Sequence, residues 1–164
     1  MCIKIKEKLD ELNVNCVIDS LDPIEKSLNS RVKHVNELVK GSKDDCIYVS
    51  VHVNAASNGQ WNTASGWTIY VYNKASQNSK DLALELFDIA KDKKLFGNRA
   101  IPATKYFMAN FAVLRDTVCP AVLTENMFQD NKKDVEYLLS EAGKEEICDL
   151  HVQGILNYIK QKES

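Results

Sequence analysis

At 164 residues the chain is long enough to bury one hydrophobic core and too short for two ordinary domains. Hydrophobic residues make up 45% and charged residues 27%, ordinary globular values, and no apolar run is long enough to span a membrane. The formal net charge of −2 argues against a dedicated nucleic-acid binder, whose surface carries an excess of Lys and Arg. The stretch from Met1 to Lys8 has no apolar signal core, so the chain is expected to be cytoplasmic as synthesised. Cys2, Cys16, Cys46, Cys119 and Cys148 include no C-x-x-C, which excludes a zinc ribbon and a thioredoxin-type motif. They read as buried thiols of a reducing compartment.

Ile5, Leu9 and Leu12 recur at helical spacing, predicting a short amphipathic helix already under way at Met1. Residues 14–18 read as a buried strand. Asp22-Pro23 opens a helix with Ile24, Leu28, Val32, Val35 and Val39 on one stripe and Gly41 as its stop. Residues 46–53 are a nearly continuous apolar run, the pattern of a strand covered on both faces. Residues 55–65 read as a polar loop over the sheet edge, and residues 67–72 as a further strand led in by Gly66. Ser79 is placed as the cap of a helix that buries Leu82, Leu86 and Ala90. Residues 91–106 are basic and irregular, and residues 107–114 apolar and ambiguous. Pro120 begins a strand reaching Thr124, Asp130 or Asn131 caps a helix through Leu139, and residues 145–160 form a last helix. With no internal repeat or linker, this alternation predicts a single α/β domain over residues 1–164, a mainly parallel or mixed sheet flanked by helices.

Two residues carry most of the chemical information. His52 and Glu125 each end a predicted strand, and the carboxyl edge of an open α/β sheet is where ligands bind. Ser50 and His52 share one face of their strand, opposite Val49, Val51 and Val53. A catalytic zinc site needs a neutral nitrogen on the metal and a carboxylate that takes a proton from bound water. A lone strand-end His is ordinarily just a hydrogen-bonding group. A Glu ending an apolar strand says more, because a buried carboxylate is costly unless paired or bound. Trp61 and Trp67 are candidates to line a sugar groove, although Trp67 also reads as core. Arg31, Arg115 and the cluster over residues 91–99 read as surface charge.

Ser50-Val51-His52-Val53-Asn54 and Pro120-Ala121-Val122-Leu123-Thr124-Glu125-Asn126-Met127-Phe128 resemble the S-x-H-x-N and P-A-V-L-x-E-x-x-F strand ends of the zinc-dependent N-acetylmuramoyl-L-alanine amidases, in their cell-separation and phage-lysin branch. The flanks Ser27-Leu28-Asn29-Ser30-Arg31-Val32, Gly66-Trp67-Thr68-Ile69-Tyr70 and Val113-Leu114-Arg115 match as well, so the resemblance covers essentially the whole chain. It implies an amidase-like fold, His52 as a zinc ligand and Glu125 as the catalytic acid/base. The implied reaction is hydrolysis of the peptidoglycan amide between N-acetylmuramic acid and L-alanine. The family usually has Gly at the position of Met127, so the turn after Glu125 is expected to be differently shaped or more crowded. The family's first strand, its Gly-His-Gly zinc motif and the Glu ligand that follows have no counterpart, and would lie before Met1.

His34 and His151, read as solvated and as core, and Glu7 and Asp10 on the first helix are all rejected as replacement ligands. The resemblance therefore leads to an amino-terminally shortened amidase domain that binds zinc weakly and lacks activity as it stands. Lacking a central strand, it would fold poorly or pair its exposed sheet edges with another copy. The rival expectation is a non-catalytic peptidoglycan-binding module that keeps the groove and not the metal. A phage-type lysin of this kind would reach the wall only after membrane failure.

Overall fold

A computed structural model of the chain describes residues 1–19, 27–43, 45–57 and 59–163; the predicted helix start at Asp22-Pro23, with Ile24, lies outside them. The first helix, α1 (Cys2–Glu11), buries Ile5 and Leu9, one turn apart, against α6 (Glu141–Glu163). Leu12 is exposed instead, because the chain leaves the helix there and turns through Asn13 at φ +60. Asn tolerates that left-handed backbone better than most residues. Residues 14–18 do not form the predicted strand. Val14 and Cys16 pack towards the α1/α6 cluster and Val17 faces solvent, but no neighbouring strand among the described residues offers a ladder.

Helix α2 (Leu28–Gly41) begins at Ser27, whose side chain accepts from the Ser30 N–H, and ends at Gly41 as predicted. It buries Val32 and Val35. The sheet contains β1 (Tyr48–Asn54), β2 (Thr68–Tyr72), β3 (Phe107–Ala109) and β4 (Ala121–Phe128) in the order β1-β4-β2-β3. Pairs β1/β4 and β2/β3 are parallel and β2/β4 is antiparallel, so the sheet is mixed. Among the described residues β1 is an edge strand. It is covered on both faces as its apolar run suggests, Val49 and Val51 packing towards α1 and α6 and Tyr48 towards Val32, Val113 and Leu114, until Val53, which is exposed. The Tyr48 N–H donates to the Pro120 carbonyl at 2.8 Å. Backbone groups alternate along a parallel strand, so those of Tyr48, Ser50 and His52 face β4 while those of Val49, Val51 and Val53 face outwards.

Helix α3 (Gln77–Asp92) is capped by Ser76, whose side chain accepts from the Ser79 N–H; Ser79 itself is buried and its hydroxyl accepts from the Ala121 N–H. Short α4 (Ala112–Arg115) precedes β4, and Asn131 caps α5 (Lys132–Leu139) by accepting from two backbone N–H groups. One face of the sheet packs Ile69, Val71 and Val122 against Leu82 and Leu86 of α3 and Ile147 and Leu150 of α6. Gly154 permits that contact, since a Cβ there would lie 2.6 Å from Leu86 Cδ2. On the other face Ala121 and Leu123 meet Val32 of α2 and Val113 and Leu114 of α4.

Candidate active site

Strand register assembles the site. His52 of β1 is opposite Glu125 of β4, and Glu125 is opposite Thr68 of β2. Partners in register project to the same face, so an imidazole, a carboxyl and a hydroxyl form one row across three strands. That face is the one covered by α2 and α4. His52 lies two residues before the end of β1, whereas Glu125 sits inside β4, which runs on to Phe128 instead of stopping at Thr124.

Burial pushes the Glu125 carboxyl up to about 7, from an ordinary 4.5. Its Oε2 and the Thr68 Oγ1 are buried and have no hydrogen-bond partner among the described residues. Each such orphan costs about 1–3 kcal/mol, which marks the row as more than a packing feature. His52 Nε2 lies 2.9 Å from Ser50 Oγ on the same strand face. Loss of water around the ring, and then the Arg31 charge, keep this imidazole below its usual pKa. Arg31 is therefore no simple surface charge. It is electrostatically coupled to the site, and its Nε is another buried atom without a partner among the described residues. Arg115 does read as surface charge, paired with Asp116.

The backbone after the two residues is equally ordered. Between His52↔Glu125 and Asn54↔Phe128, β4 uses one residue more than β1, a bulge. Met127 takes φ +66 there, the left-handed conformation that glycine favours, and still buries its side chain. Such a backbone costs a non-glycine residue about 1–2 kcal/mol. The polar loop that follows β1 is sewn to the turn that follows β4. The Asp130 carboxylate accepts from the Ala56 and Ser57 N–H groups, and the Asp134 carboxylate from Ser65 Oγ, the Gly66 N–H and the Phe128 N–H. Sequence reasoning treated these two acids only as helix-cap surroundings. A buried Asp in the first turn of α5 is the signal that identifies Asp134.

Behind the row, on the opposite face of β4, runs a buried polar chain whose hydrogen positions follow from the chemistry. The Ile147 carbonyl only accepts, so His151 Nδ1 donates to it at 2.7 Å. His151 Nε2 then accepts from the Thr124 hydroxyl at 2.9 Å, and that hydroxyl accepts from Asn126 Nδ2 at 3.1 Å. Asn126 Nδ2 also donates to the His52 carbonyl, while its Oδ1 accepts from Trp67 Nε1 at 3.0 Å. His151 is the core histidine expected, fully buried and lowered to about 4 by that burial. Trp67 is also fully buried and offers no face to a sugar, whereas Trp61 is exposed with Lys132 over its ring.

Among the described residues no group of three or more His, Cys, Asp or Glu side chains comes together to hold a metal. His34, His151, Glu7 and Asp10 do not join His52. A tetrahedral catalytic zinc centre takes three protein ligands, so the side chains described here do not complete one. The cysteines also differ from expectation: only Cys148 is buried, Cys16, Cys46 and Cys119 are partly so, and Cys2 is exposed.

The paired parallel strands β1 and β4 thus bring a protonatable carboxyl beside an imidazole. The family model for N-acetylmuramoyl-L-alanine amidase matches residues 1–157, and the chain belongs to that family. It is 34% identical over 120 residues to the endolysin of Bacillus phage SPP1, covering 71% of this chain and 41% of that protein. It is 32% identical over 111 residues to the N-acetylmuramoyl-L-alanine amidase CwlM of Bacillus licheniformis, covering 66% of this chain and 38% of that protein. The chain thus spans about two fifths of the length of these curated relatives. The crystal structure of the N-acetylmuramoyl-L-alanine amidase from Clostridium difficile 630 superposes with a TM-score of 0.77 at 28% identity, over 98% of this chain and 82% of that one. The amidase of Mycobacterium smegmatis shares the fold, with a TM-score of 0.84 at 17% identity over 97% of this chain and 73% of that one.

Proposed function

We propose that the row His52, Glu125 and Thr68 belongs to a peptidoglycan amidase that hydrolyses the amide between N-acetylmuramic acid and L-alanine. The observation that carries this reading is the register partnership of His52 with a Glu125 whose carboxyl titrates near neutrality. A group with a pKa of about 7 takes a proton from an attacking water and returns it to the leaving amine at physiological pH. Family membership supports zinc as the cofactor, with His52 as one of its ligands. Because a single imidazole holds zinc weakly, this chain binds the metal weakly and releases little or no stem peptide as it stands. Titration of the chain with zinc by calorimetry, together with release of L-alanine-terminated peptides from purified peptidoglycan, tests this. Tight stoichiometric zinc with turnover that survives Glu125→Gln would defeat both the assignment of Glu125 and the weak-binding reading. The cell wall is the site of action. A second copy of the chain is a further partner, because the outward backbone groups of Val49, Val51 and Val53 face no strand among the described residues. No helix among the described residues is long and apolar enough to cross a membrane.

A further inference from the structure

At the other end of the β1/β4 ladder, Cys46 and Cys119 stand just upstream of the two strands. The ladder keeps one register from Tyr48↔Ala121 through His52↔Glu125, and the Tyr48 N–H bond to the Pro120 carbonyl carries the pairing back beyond β4. Cys46 lies two residues before Tyr48 and Cys119 two before Ala121, in the segments that lead into this first pair. Neighbouring strands lie about 4.8 Å apart, within the roughly 4.4–6.8 Å Cα separation that a disulfide spans. The two thiols feel each other: after burial, Cys46 is the largest influence raising the Cys119 thiol, which stands at about 11. Both side chains are only partly buried, so a small reagent reaches them. Cys2 acts on Cys16 in a similar way, but behind Lys6 and Asp10, and no ladder aligns those two residues.

We propose that Cys46 and Cys119 are an oxidisable pair, closing into a disulfide across the start of the β1/β4 ladder by exchange with a low-molecular-weight disulfide. In the first step Cys46 gives its proton to solvent and attacks. It bonds to one sulfur of the reagent, the reagent's S–S bond breaks, and one thiolate leaves. Cys119 then gives its proton to solvent and attacks the Cys46 sulfur, displacing the second thiolate. Two protein thiols give up two electrons and the reagent departs as two thiols. The new bond fastens the edge strand that carries His52 to the central strand that carries Glu125. It closes a loop of roughly seventy residues, long enough for a marked restriction of the unfolded chain.

The native chain, treated with oxidised glutathione, alkylated and digested, should yield one cross-linked peptide pair containing Cys46 and Cys119, with the other three thiols alkylated. Its Tm should rise by several degrees and return on addition of dithiothreitol. In concentrated urea the same treatment should scramble the pairings, and Cys46→Ser should leave Cys119 unlinked to any protein sulfur. A native link between any other pair, glutathione adducts without a cross-link, five intact thiols, or an equal yield of the Cys46–Cys119 link in urea would each overturn the proposal.

Discussion

Glu125 illustrates how a site residue differs from a structural one. Its carboxyl is half-buried, unpartnered at Oε2 and raised to about 7, against 4.5 in the unfolded chain. The folded state therefore holds this proton more tightly than the unfolded state does. Its favourable contribution is complete below pH 4.5 and disappears as pH rises through about 7. Glu125→Gln is consequently expected to stabilise the chain by about 2–3 kcal/mol at high pH, with the gain vanishing in acid. Urea denaturation in the presence of a chelator across that range measures it, and a pH-independent difference would count against it. His151 runs the other way. Its imidazole is lowered from 6.5 to about 4, so its contribution is present above pH 6.5 and is lost as pH falls through about 4. Between those values the two groups oppose one another, and only the variant separates them.

Among the elements, β4 does the most. Alternate side chains of this one strand serve two faces: Glu125 looks towards α2, while Thr124 and Asn126 anchor α6, Trp67 and the His52 carbonyl. Asn126→Ala should leave the Trp67 indole N–H and the His52 carbonyl without partners as well as a cavity. A loss of about 3–5 kcal/mol in unfolding free energy is expected. A loss below about 1 kcal/mol would show that water replaces the amide readily. His52 and Glu125 were legible in the sequence because each ends an apolar run and strand alternation fixes its face. His151 was legible from the spacing of Ile147 and Ile155 around it. Thr68, Asn126 and Asp134 were not, since their roles depend on which strand and loop lie beside them, information that no local pattern contains. The same limit explains residues 14–18, whose apolar pattern suits a strand but which pair with no strand among the described residues, and the edge position of β1, which an apolar run does not reveal. Ser76 and Ser79 sit three residues apart, and the direction from which the chain enters α3 decides between them.

For the whole molecule, the exposed side of β1 is the feature that reaches beyond the monomer. The outward main-chain groups of Val49, Val51 and Val53, with the exposed Val53 side chain beside them, are the combination that draws another strand into pairing. Sedimentation at increasing protein concentration is expected to show a monomer–dimer equilibrium. Val51→Pro, which removes an outward donor and leaves the β4 ladder intact, should shift the equilibrium to monomer. An unchanged equilibrium in the variant would place the contact elsewhere.

The β1/β4 pairing has one more consequence, and it concerns time. The strands that bring His52 and Glu125 together are roughly seventy residues apart in the chain, whereas β2 and α3 are sequence neighbours. Closing so long a loop costs entropy before any ladder bond returns it, and contacts of this kind form slowly. The pairing of His52 with Glu125 is thus a late product of folding, formed only when the two distant strands meet, and the same long-range closure makes it vulnerable whenever the edge strand opens.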